Sequence, residues 1–80
     1  MRLTLQPVLV QTGEEGQGLL AFRNGWLVAV LVQLSEIHGD QAGHWFLEKG
    51  FGVLDGPQPP VFPDVQVAER WIAERLDGSA

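Results

Sequence analysis

Eighty residues make one domain (1–80), and ten acidic side chains against five basic ones leave a net charge of −5. A chain of this size buries only about 60–65% of the surface its unfolded form exposes, so its core is thin. The absence of cysteine removes disulfides, thiolate metal sites and cysteine nucleophiles together, and the acidity disfavours phosphate backbones and anionic lipid as partners.

An apolar fraction of 45% is ordinary for a globular chain. The N-terminus lacks the apolar core and cleavage site of a signal peptide. The longest apolar run, Trp26 to Val32, is far too short to cross a bilayer. The expectation is a cytoplasmic protein.

In chain order, residues 2–10 alternate, with Leu3, Leu5 and Leu9 on one side and Arg2, Thr4 and Gln6 on the other, which predicts a strand. Pro7 donates no ladder hydrogen bond and places that strand at an edge or at a bulge. Gln11 to Gly18, with three glycines and two glutamates, reads as a loop. Leu19–Arg23 and Trp26–Ser35 are then two apolar runs joined by Asn24-Gly25, a pair suited to the positive φ values of a type I′ hairpin turn.

A two-residue turn fixes the register: Arg23 faces Trp26, Phe22 faces Leu27, Ala21 faces Val28 and Leu19 faces Val30. One face then carries Leu19, Ala21, Arg23, Trp26, Val28, Val30, Val32 and Leu34. The other carries Leu20, Phe22, Leu27, Ala29, Leu31 and Gln33. Both faces are apolar, so the hairpin is read as central and covered on both sides.

Glu36 to Gly43 reads as a loop, and His44 to Phe51 as a strand in which Gly50 and Gly52 mark a bulge or a bend near its end. The segment Pro57 to Pro63 suits an extended crossing and neither helix nor central strand. Asp64 supplies an N-cap, and Val65, Ala68, Ile72 and Leu76 repeat at helical spacing up to Gly78. A helix over 65–77 follows, with Trp71 and Ile72 as core anchors. The ending Phe62-Pro63-Asp64…Ala68…Trp71-Ile72 resembles the strand–turn–helix ending of many small bacterial proteins, a likeness that implies no function.

The chemistry-bearing residues each have a plain alternative. Glu36, His38, Asp40, His44 and Glu48 are metal-capable types, yet no H-x-H or H-x-x-x-H spacing fixes a geometry, and they read as a solvated loop. Ser35 with His38 and Asp40 lacks the elbow and oxyanion hole of a hydrolase. Gly13 to Gly18 opens onto a strand instead of a helix and carries two acids, unlike a phosphate cradle. Pro60-Val61-Phe62-Pro63 fits P-x-x-P but joins two packed elements, which favours a connector. Trp26, Trp45 and Trp71 lack the interleaved bases of a single-strand nucleic-acid platform. No catalytic residue, metal or cofactor is expected.

The sequence thus predicts an α+β fold: a four-stranded antiparallel β-meander with one C-terminal α-helix packed on one face (β-β-β-β-α). One helix covers one face, and the bulk of Leu20 and Phe22 favours the Phe22 face for it. The leading expectation is a non-catalytic interaction module, a homodimer or a binder of another protein, that associates through Trp26, Val28, Val30, Val32 and Leu34. The alternative is a ligand-binding or enzymatic domain with a pocket lined by Trp45, Trp71 and Phe62 and gated by the His38 loop. A pocket with convergent polar groups would favour the alternative; a flat apolar sheet face repeated across a two-fold axis would favour the first. Single-stranded nucleic acid is a third reading, disfavoured by charge.

Overall fold

The computed structural model describes residues 3–12, 15–57 and 59–78. Among them, five antiparallel strands follow one another in a meander: β1 (Thr4–Thr12), β2 (Glu15–Arg23), β3 (Trp26–Gln33), β4 (Trp45–Gly50) and β5 (Val61–Phe62). One helix, α1 (Val65–Leu76), closes the chain. A 3₁₀ segment, Glu36–Gln41, joins β3 to β4, and a 3₁₀ turn, Gly52–Leu54, follows β4.

The class is α+β, with one strand more than the four expected. The extra strand lies in the proline segment, where Val61 and Phe62 pair with Phe46 and Trp45. Pro60 and Pro63 exclude a longer strand, but the two residues between them keep their N–H groups and pair at the sheet edge. The expected loop from Gln11 to Gly18 is also shorter. β1 runs to Thr12 and β2 resumes at Glu15, so Gly16 and Gly18 stand within a strand. Gly18 is there for packing: a Cβ at that position would lie 2.7 Å from a methyl of Val10 and 3.0 Å from the Leu31 carbonyl oxygen. Glycine inside a strand marks such a close approach.

Asn24 and Gly25 both take positive φ, 54° and 85°, and the hairpin opens in the expected register, Arg23 on Trp26 and Phe22 on Leu27. There the expectation fails. Ala21 faces Ala29 instead of Val28, Leu20 faces Val30 and Leu19 faces Leu31. Val28 is an extra residue, a β-bulge, and every partner beyond it moves by one. Its carbonyl serves the other neighbour, accepting the Phe51 N–H at 3.0 Å. A second irregularity leaves Glu48 between the Val30–Lys49 and Leu31–Leu47 pairs. The bend expected near Gly50 is real. The 3₁₀ turn folds back so tightly that a Cβ on Gly50 would meet the backbone of Leu54.

α1 starts on Asp64, whose carboxylate accepts the Val67 N–H at 2.9 Å, and Gly78 leaves it at a φ of 70°. Its buried residues Ala68 and Ile72 pack on Ala21, Ala29, Leu31, Leu47, Leu54 and Phe62. Small side chains at 21 and 29 give the helix room to approach the sheet. Trp71 tilts against Phe62 with ring centroids 5.5 Å apart, and Arg75 lays its guanidinium over the Trp71 ring at 4.7 Å. Arg23 ties the hairpin to the helix end through a 2.8 Å bond to Asp77. Among the described residues no helix is long and apolar enough to cross a membrane.

Candidate interaction surface

Directly opposed residues in a ladder share a face, so the pairing sorts the sheet. The first face holds Leu19, Ala21, Ala29, Leu31, Leu47 and Phe62, under the helix. Three transverse rows cross the second. Val8, Gly18, Val32, Phe46 and Val61 span all five strands. Gln6, Leu20, Val30 and Lys49 form the next row. Thr4, Phe22 and Leu27 form the third, beside the Asn24-Gly25 turn.

The two halves of this second face differ. In the first row Gly18 and Val32 are buried, and Leu34 beyond Val32 is buried too. The methyls of Val8 and Val10 fill the space over Gly18, while Val8, Phe46 and Val61 of the same row are half-buried. Towards the turn the face is open. Leu27 is 37% and Phe51 42% exposed, with Leu20, Phe22 and Val30 half-buried between them. Lys49 holds its ammonium 5.5 Å from the Phe51 ring centre, a charge set against an aromatic face. The irregularity at Glu48 turns Phe51 to the side opposite Trp45 and Leu47.

The five residues expected to form one interface do not share a surface. Trp26 is 76% exposed at the hairpin tip, Val28 packs against the helix-side core, and Val30 lies on the open half. Val32 and Leu34 are buried within the chain. The cause is the bulge at Val28, which reverses the facing of everything after it. The helix accordingly takes residues from both expected faces, Leu19 and Ala21 of one and Ala29 and Leu31 of the other. Leu20, Phe22, Leu27 and Phe51, which sequence reasoning left out of the interface, border the opening. No local signal marked them: without the bulge Ala21 and Ala29, the small residues under the helix, fall on opposite faces.

The other constellations fall as follows. Among the described residues no three of His, Asp or Glu gather as a metal would need. The His38 side chain, on which both the metal and the hydrolase readings drew, lies outside the described part, as do Gly13 and Glu14 of the glycine-rich segment. Phe62 of the P-x-x-P run is 3% exposed, fixed in β5. Of the three residues expected to line a pocket, Phe62 and Trp71 pack against each other with ring centroids 5.5 Å apart. A cleft of about 280 Å³ opens nearby instead, lined by Leu54, Asp55, Pro57, Pro59, Trp71 and Arg75 among others. Asp55 and Arg75 are its ionisable groups.

Comparison with family models, with curated proteins and with solved structures finds no match, so the surface is read from its own chemistry.

Proposed function

We propose that the protein is a non-catalytic interaction module that pairs with a second copy of itself through the open half of the sheet face, around Leu20, Phe22, Leu27, Val30 and Phe51. The observation that supports this reading is that the second face carries no helix and that towards the turn Leu27 and Phe51 are exposed beside half-buried Leu20, Phe22 and Val30, whereas Gly18 and Val32 further along are buried. Burying a Leu, Val or Phe side chain is worth about 1.5–3 kcal/mol, a large share for a thin core. A standard interface takes about 800 Å² from each partner, a substantial part of a chain whose whole accessible surface is 5242 Å². A two-fold axis satisfies both copies with one patch.

The charge also bears on the choice of partner. Phenylalanines on a sheet face would suit stacked bases, but among the described residues the open half carries one cation, Lys49, and Arg23 is engaged by Asp77. A polyanion is poorly served there. Two chains of net charge −5 repel each other, so self-association is expected to tighten as salt screens them, whereas nucleic-acid binding weakens.

Sedimentation equilibrium at micromolar concentration tests the reading. The expected mass is twice the 8.8 kDa of one chain, rising towards completion between low and physiological salt. Leu27→Lys, at a site already solvent-exposed in the single chain, is expected to give a folded monomer. A wild-type mass of 8.8 kDa at both salt concentrations contradicts the proposal.

A further inference from the structure

The sheet ends in two unlike edges. β5 is two residues long and stands between Pro60 and Pro63, too short to template a strand. β1 runs for nine residues, carries no charged side chain, and displays Leu9 at 81% exposure. Edge lysines are the common protection against strand addition, and β1 has none.

What β1 has is Pro7. It pairs with Leu19 yet donates no hydrogen bond. The ladder to β2 keeps its bonds when they run through Gln6 and Val8, which turns the backbone of Leu5, Pro7 and Leu9 outward. On that outer rim the N–H groups of Leu5 and Leu9 are separated by a position that has none. Beyond Leu9 the register slips, and the regular stretch ends. Two chains of net charge −5 approach most easily where no acid stands, and β1 is such a place.

We infer that Pro7 is the guard of the β1 edge: it prevents a second copy of this chain from extending the sheet strand to strand. The inference concerns the edge alone and does not depend on pairing through the open face. Sedimentation velocity on Pro7→Val over a range of concentrations tests it. The expected result is species larger than any in the wild type, growing with concentration, while the near-UV signal of the tryptophans is retained. Adding Leu9→Lys to that variant is expected to return the wild-type distribution, because a lysine restores a guard. If Pro7→Val loses the near-UV signal, Pro7→Ala restores the same N–H with a smaller side chain and is judged by the same criteria. A folded proline variant with the wild-type distribution overturns the inference. So does a wild-type assembly that Leu9→Lys alone dissolves, since β1 would then already be an interface.

Discussion

A methyl group added at Gly18 would lie 2.7 Å from one methyl of Val10 and 3.4 Å from one of Val8, in space those side chains already hold. Replacing a strand glycine by a β-branched residue normally stabilises, through propensity and reduced chain entropy. Here the clash wins. Gly18→Val is expected to destabilise by about 1–3 kcal/mol, and trimming Val10→Ala in that background to recover part of the loss. Denaturant titration measures both, and a stabilised Gly18→Val would show that the space over Gly18 is free. The sequence reading took Gly18 for a loop residue, because glycine signals a turn and a packing contact in the same way. Val28 shows the same limit. Nothing in a run of Trp, Leu, Val and Ala marks which residue is the extra one, since all of them suit a strand.

At the scale of elements, what could be read was what local chemistry decides. The hairpin turn follows from Asn24-Gly25, and α1 follows from the Asp64 cap, the 3.6-residue spacing and Gly78. The helix occupies Val65–Leu76, within one residue of the expected end; of its two expected anchors Ile72 is fully buried, whereas Trp71 is half-buried at the edge of the core, against Phe62. Ile72→Ala is expected to cost about 2–5 kcal/mol, seen as a lower denaturant midpoint with unchanged slope. An unchanged midpoint would mean that the helix does not seat on Ala21 and Ala29. What escaped the sequence was decided between elements. β5 was hidden because two prolines lower strand propensity, while pairing with Trp45 and Phe46 restores what propensity alone denies. The irregularities at Val28 and Glu48 sit on β3 and β4, where the sheet bends to meet the 3₁₀ turn and the helix.

For the whole molecule, the sequence already implied that one helix cannot cover two apolar faces, and the second face is indeed left without a helix. Which residues border the opening depended on the bulge at Val28, which nothing in the sequence marks. Whether copies meet through the open half is decided by isotope-filtered nuclear Overhauser spectra of labelled and unlabelled protein mixed in equal amounts. Only contacts between different copies survive the filter. Cross-peaks are expected from the methyls of Leu20, Leu27 and Val30 in one copy to the rings of Phe22 and Phe51 in the other. No cross-peaks at millimolar concentration, or cross-peaks arising from β1 or from the outer side of α1, would contradict pairing through the open half.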